Sequence, residues 1–128
     1  RFKEKSIHKV INEYLRTGAK DFQKNIIVFD EGQRAWDKKQ MSTKKNIPYS
    51  EPDILIEMAE KRLDWSVLLI LVGEGQEIYK GESSDLTQWN RAIERTDKKW
   101  EVICPERLTS IFENSSNVIK NDNFDLYE

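Results

Sequence analysis

The stretch Asn25-Ile-Ile-Val-Phe-Asp-Glu-Gly-Gln-Arg34 decides the fold, because an apolar run leads directly into two carboxylates. Residues 25–30 are rich in β-branched side chains and show no apolar–polar alternation, which predicts a strand buried on both faces. Strands of that kind belong to parallel sheets whose two faces are covered by helices.

Two further strands are predicted along the chain. Ser66 to Val72 is a second continuous apolar run and ends in Gly73-Glu-Gly-Gln76, and Trp100 to Cys104 is a third that stops at Pro105. Apolar residues at helical spacing fall between and around them, at residues 4–17, 50–63, 86–93 and 108–112. Strands alternating with helices predict an α/β fold with three layers, a parallel sheet carrying helices on both faces.

The remaining segments are predicted to be loops within a single domain spanning residues 1–128. Residues 37–49 carry four lysines and Pro48 with little periodicity, and residues 113–123 are rich in Asn and Ser. We expect a long surface loop at 37–49, a loop at 113–123 and one more short strand at 124–127. Gly18 is expected to end the first helix in a left-handed conformation.

Composition narrows the functional class. With 21 Lys and Arg against 23 Asp and Glu, the net charge is −2, so no overall basic field calls for nucleic acid. A lone cysteine, Cys104, fits a reducing compartment and a cytoplasmic location, and we expect it to be buried. The longest apolar run, Val67 to Val72, is too short to cross a membrane. A single histidine, His8, supports neither a zinc cluster nor a Ser–His–Asp set.

Both acidic strand ends should meet at one edge of the sheet. Ligands of parallel α/β sheets bind at the carboxyl ends of strands, and Asp30-Glu31 and Gly73–Gln76 both lie there. Adjacent carboxylates on an extending strand point in different directions, so one can face a metal ion while the other aligns a water. A solvated strand end explains the same acidic pair, and spacing alone does not separate the two interpretations.

The two strand-end motifs together resemble a known family. Ile27-Val-Phe-Asp-Glu-Gly-Gln-Arg-Ala-Trp36 is similar to the Asp-Glu-x-Gln (Walker B) motif of superfamily-1 helicase-type ATPases, and Leu71-Val-Gly-Glu-Gly-Gln-Glu-Ile78 is similar to their third motif. With Ser50-Glu-Pro, Asp64-Trp65 and Gly81-Glu82 between and after them, the pattern closely resembles Schlafen-group-3-like DNA/RNA helicase domains, which are P-loop proteins. The resemblance runs from about residue 4 to the end of the chain.

The resemblance implies a role for each motif residue in a RecA-like core. Asp30 would hold Mg²⁺, and Glu31 would be the base that orients the attacking water. Gln33 and Gln76 would contact the γ-phosphate of ATP or couple the nucleotide to a bound strand of DNA or RNA. Gly73, Gly75 and Arg34 would lie against the nucleotide. Arg34 would contact a phosphate or, alternatively, pair with an acidic neighbour.

No Gly-x-x-x-x-Gly-Lys-Ser/Thr sequence, the loop that cradles phosphates in such ATPases, occurs in the 128 residues. The chain is therefore expected to be the central part of a longer ATP-hydrolysing, helicase-like protein, and to hydrolyse ATP negligibly on its own. Two alternatives stay open. One is a nucleic-acid or protein interaction module with a decayed ATPase site, and the other is a Mg²⁺-dependent nuclease built on Asp30, Glu31 and Glu74.

The lysines of the predicted 37–49 loop suggest a second hypothesis. Lys38, Lys39, Lys44 and Lys45 lie close in sequence to Trp36, and basic groups beside an aromatic ring can follow a nucleic-acid backbone and stack a base. A lysine-rich loop that is simply solvated fits the pattern as well.

Overall fold

The computed structural model describes residues 7–18, 24–62, 64–73, 84–112 and 117–120. Four α-helices, two 3₁₀ helices and four strands occupy them. Their bounds, in chain order, are α1 (Ile7–Thr17), β1 (Ile26–Phe29), a 3₁₀ helix (Gly32–Arg34), α2 (Lys38–Lys45), α3 (Glu51–Glu60), β2 (Val67–Ile70), α4 (Ser84–Glu94), β3 (Glu101–Cys104), a second 3₁₀ helix (Glu106–Phe112) and β4 (Asn117–Lys120). The predicted α/β class is confirmed. The predicted strand at 124–127 lies outside the described residues.

The strands pair in parallel, as predicted, in two sheets of two strands each. β1 runs beside β2 with Ile26 opposite Val67 and Phe29 opposite Ile70, and β3 runs beside β4. Parallel neighbours place their carboxyl ends at the same edge. The turn that follows β1 is therefore set beside the turn that follows β2.

The prediction that β1 and β2 are buried on both faces is wrong. Ile27 and Phe29 are buried, whereas Ile26 is 57% exposed and Val28 is also exposed. β2 shows the same alternation, with exposed apolar side chains on one face. Helices α1, α3 and α4 contribute to the core on the face that holds Ile27 and Phe29, so the opposite face stays apolar and open.

Helix α3 begins where the sequence predicts. The Ser50 hydroxyl accepts the Asp53 backbone N–H, and the Asp53 carboxylate accepts the Ser50 N–H, each at 3.2 Å. Pro52 occupies the first turn, where it removes no helical hydrogen bond. The helix supplies the fully buried centre of the core, which includes Leu55 and Met58.

Two predicted loops contain regular structure. Residues 37–49 hold helix α2, because Asp37 caps the Gln40 N–H at 2.7 Å, Met41 is fully buried and Asn46 closes the helix in a left-handed conformation. Within 113–123, residues 117–120 form strand β4, whose pairing with β3 supplies its hydrogen bonds.

The structure confirms the predictions for Gly18 and Cys104. Gly18 has a φ of 74° and donates its N–H to the Tyr14 carbonyl at 2.7 Å, which ends α1 as predicted. Cys104 is buried, and burial raises the pKa of its thiol. In the described part of the chain, no helix has the length and apolar character needed to cross a membrane.

Candidate functional site

The ends of β1 and β2 are held together beyond the strands themselves. The Leu71 N–H donates to the Phe29 carbonyl at 2.9 Å, and the Gly32 N–H donates to the Leu71 carbonyl at 2.8 Å. The two strand-end motifs therefore converge, as the sequence predicts for Asp30, Glu31 and Gly73. Glu74, Gly75 and Gln76 lie outside the described residues.

Glu31 turns the chain sharply at this edge. Its backbone lies in the left-handed region, with φ 54° and ψ 49°. For a residue with a side chain this conformation costs about 1 kcal/mol or more. The Glu31 N–H donates to the Asp30 carboxylate at 2.9 Å, which helps to hold the turn. The result is that the Glu31 side chain lies over the edge next to Gly73.

Gln33 connects the two strand ends. Its side-chain Nε2 donates a short hydrogen bond to the Glu31 carboxylate, and its Oε1 accepts the Gly73 backbone N–H at 3.2 Å. Gln33 is only 5% exposed, so little water reaches its side-chain amide. The amide thus fixes the position of the Glu31 carboxylate relative to the end of β2.

Gly73 gives the Glu31 carboxylate the space it occupies. A Cβ at position 73 would lie 2.8 Å from Glu31 Oε2 and 3.2 Å from Gln33 Nε2. A residue with a side chain would therefore displace the carboxylate or the amide. Gly73 is needed here for close approach.

Arg34 lies on the solvent side of the same turn. Its Nε is 4.0 Å from Glu31 Oε2, with 78% and 47% of the two side chains exposed. An ion pair so exposed contributes roughly 0–1 kcal/mol. Arg34 thus lies within ion-pair distance of Glu31, and its contact with phosphate stays a prediction.

Helix α4 supports the turn from below. The Trp89 indole N–H donates to the Gly32 carbonyl at 2.9 Å, and the Trp89 ring packs edge-on against Phe29 with ring centroids 5.3 Å apart. Gln88 Nε2 donates to the Ala35 carbonyl at 3.4 Å. The sequence placed Trp89 on an apolar stripe and missed its hydrogen bond. The tryptophan itself could have indicated this bond, because a buried indole N–H usually has a hydrogen-bond partner.

Glu51 supports the far end of the turn. It is 1% exposed, and its Oε1 accepts the Trp36 backbone N–H at 2.7 Å. The Glu51 N–H also donates to the Trp36 carbonyl at 2.9 Å. The start of α3 is thereby fixed to the segment that leaves the site. The sequence analysis placed Glu51 in the Ser50-Glu-Pro motif and did not predict this buried contact.

Two lysines of α2 lie over the ring of Trp36, the aromatic residue beside the lysine-rich segment. Lys44 Nζ lies 4.3 Å from the centre of the Trp36 ring, a cation–π contact, and Lys45 Nζ lies 6.0 Å from it. A nucleic-acid base would have to displace Lys44 to stack on that face.

The donor set suits Mg²⁺ bound mainly through water and phosphate oxygens. Mg²⁺ commonly takes one or two protein carboxylates and completes its shell with water and substrate phosphates. The exposed Asp30 carboxylate at the end of β1 fits such a ligand, and among the described residues its one hydrogen bond is to the Glu31 N–H. No group of three His, Cys, Asp or Glu side chains able to hold a metal occurs within the described ranges.

Comparison with known proteins identifies one family. The model of the family described as Schlafen group 3, DNA/RNA helicase domain, matches residues 2–120. No curated protein and no solved structure matches the chain.

Proposed function

Because the chain belongs to the Schlafen group 3 DNA/RNA helicase domain family, we propose that it supplies the metal-binding and water-aligning part of an ATPase that acts on nucleic acid. One observation carries this proposal. Glu31 and Gln33, which follow Asp30 at the end of β1, are joined to Gly73 at the end of β2, at the edge where parallel α/β sheets bind ligands.

The carboxylates take separate roles. Asp30 projects from the strand end and would hold Mg²⁺, which when bound with ATP neutralises charge on the phosphates. Glu31 has a left-handed backbone, and Gln33, itself bonded to the Gly73 N–H, holds its carboxylate in place. A carboxylate so fixed can accept a hydrogen bond from a water and take its proton during in-line attack on the γ-phosphate.

The Gln33 side chain bonds to protein groups at both ends of its amide. Both ends of its amide are engaged, one with Glu31 and the other with the Gly73 N–H. A shift at the end of β2 would therefore be passed to the Glu31 carboxylate. We propose that Gln33 couples the third motif to the water-aligning residue, and that Gln76 reports the γ-phosphate.

The open face of β1 and β2 supports the finer fold proposal. Ile26, Val28, Val67 and Leu69 form an exposed apolar surface on the face opposite the core. In a RecA-like, three-layer core this face carries the second layer of helices. We propose that architecture for the full-length protein, together with a cytoplasmic location.

ATP turnover by the full-length protein, measured with and without a single-stranded DNA or RNA, tests the proposal. We expect Mg²⁺-dependent ATP hydrolysis that rises when nucleic acid is added, because the family is one of DNA/RNA helicase domains. Absence of turnover at saturating ATP would favour an interaction module with a decayed site. Cleavage of the strand by Mg²⁺ without nucleotide would instead favour a nuclease.

A further inference from the structure

A second site lies beside the candidate ATPase site, between the beginnings of α2 and α3 and one face of α4. It is a cleft of about 210 Å³ whose lining includes Lys38, Lys39, Gln88, Arg91 and Arg95. The ATPase roles proposed above use none of these side chains.

The cleft is a positively charged environment. Lys38, Lys39 and Arg91 are exposed and make no ion pair with any other described residue, while Arg95 is paired with Asp53 at 2.7 Å. Among the described lining residues, the one carboxylate is that of Asp37, which already caps α2. Three cations that the described part of the protein leaves unpaired therefore face a concave surface.

Two helix N-termini add to that field. Asp37 and Ser50, the residues that cap α2 and α3, both line the cleft. The N-terminus of a helix carries about half a positive charge, part of which the Asp37 and Asp53 carboxylates offset here.

Gln88 adds a hydrogen-bond acceptor. The residue is 9% exposed, and its Oε1 has no hydrogen-bond partner among the described residues, although buried polar atoms nearly always have one. Its Nε2 donates to the Ala35 carbonyl at 3.4 Å, so the buried oxygen is the end of the amide that the described part of the chain leaves unpaired. A ligand at this site should therefore bring a donor as well as an anion.

We propose that this cleft binds the sugar–phosphate backbone of a single-stranded nucleic acid, an inference that rests on the proposed function. Phosphate oxygens are acceptors only and suit Lys38, Lys39 and Arg91, whereas a sugar hydroxyl or a base N–H supplies the donor for Gln88 Oε1. One nucleotide unit thus meets both requirements.

The cleft is linked to the candidate ATPase site through two neighbouring residues of α4. Gln88 bonds to the Ala35 carbonyl, and Trp89 bonds to the Gly32 carbonyl. Ala35 and Gly32 bracket the turn that holds Gln33. A nucleic-acid strand that binds in the cleft and shifts α4 would therefore move the segment that positions Glu31. Nucleic-acid binding could change the rate of ATP hydrolysis in this way.

The test is binding of a fluorescein-labelled 12-nucleotide single strand, as RNA and as DNA of the same sequence, followed by anisotropy in the full-length protein. K38Q/K39Q removes two phosphate contacts, so we expect affinity to fall on the order of 25-fold at 0.1 M salt and the salt slope to fall by about 1.4. K61Q/K99Q removes the same charge from exposed lysines outside the cleft lining and should leave affinity near wild type.

The outcomes separate the two proposals. Equal losses in the two double variants, or none in K38Q/K39Q, would overturn the cleft proposal while leaving nucleic-acid binding by the protein intact. A wild-type protein that binds neither strand would overturn both. A loss in K38Q/K39Q alone supports the cleft, and tighter binding of RNA than DNA would identify the 2′-hydroxyl as the donor to Gln88.

Discussion

Glu31→Gln in the full-length protein is expected to lower the rate of ATP hydrolysis by about 10²–10⁴-fold while leaving ATP affinity near wild type. The substitution keeps the size of the side chain and an oxygen that can still accept the Gln33 hydrogen bond. It removes the negative charge and the capacity to take a proton from water. Turnover in the steady state and binding of a fluorescent ATP analogue, measured on the same preparation, distinguish the two effects.

Glu101→Gln is the matched control. Glu101 is an exposed residue of β3, so the same chemical change there should alter neither quantity. Retention of wild-type turnover by Glu31→Gln would show that the carboxylate does not align the water. A parallel loss of ATP affinity would place Glu31 in nucleotide binding instead.

Gly32→Ala is expected to destabilise the protein by about 1–3 kcal/mol, the usual cost of forcing an added methyl group into a packed region. A Cβ at this position would collide with Ile70 Cγ2 on the neighbouring strand. The Gly32 backbone cannot easily move away, because its N–H is bonded to Leu71 and its carbonyl to Trp89. Urea unfolding followed by far-ultraviolet circular dichroism measures the change in the free energy of unfolding.

Two further variants show whether the collision is the cause. Ile70→Ala removes the colliding methyl group, so the double variant should be more stable than the sum of the single effects, with a coupling energy of about 0.5–3 kcal/mol. Gly18→Ala is the control for backbone strain alone, because Gly18 has φ 74° and no atom within 4 Å of an added Cβ. Strict additivity of Gly32→Ala and Ile70→Ala would contradict the steric account.

Local signals in the sequence located most of the elements. The continuous apolar runs marked β1, β2 and β3, and the reciprocal bonds between Ser50 and Asp53 are the ones that the Ser-x-x-Asp spacing predicts. What failed depended on contacts remote in sequence. An apolar run does not reveal whether both faces are covered, and β1 and β2 keep one face open in this structure.

The missed helix and strand have different causes. Helix α2 has one buried residue, Met41, so it shows no apolar stripe, and the capping bonds between Asp37 and Gln40 are seen in the structure alone. Strand β4 is four residues long in an Asn- and Ser-rich segment, and its conformation is stabilised by pairing with β3. Neither hydrophobic periodicity nor composition records that pairing.

The sequence predicted where the carboxylates of the candidate site lie, but it did not predict the hydrogen bonds that hold them. The strand-end rule placed Asp30 and Glu31 beside Gly73, and the structure brings them together. The bridge made by Gln33 requires the left-handed backbone of Glu31, which no residue pattern announces. The supporting bonds from Trp89 and Glu51 come from α4 and α3, and their targets are known only once the helices are packed.

The most direct test of the central claim is Mn²⁺ binding to the full-length protein in the presence of ATP, followed by electron paramagnetic resonance. We predict that Asp30→Asn weakens Mn²⁺ binding by about tenfold or more, because the variant loses a charged carboxylate ligand. A tenfold loss corresponds to about 1.4 kcal/mol of binding free energy. Asp97→Asn, at an exposed position away from the strand ends, should bind Mn²⁺ as the wild type does. Unchanged Mn²⁺ affinity in Asp30→Asn would contradict the assignment of this edge as the metal-binding side of an ATPase.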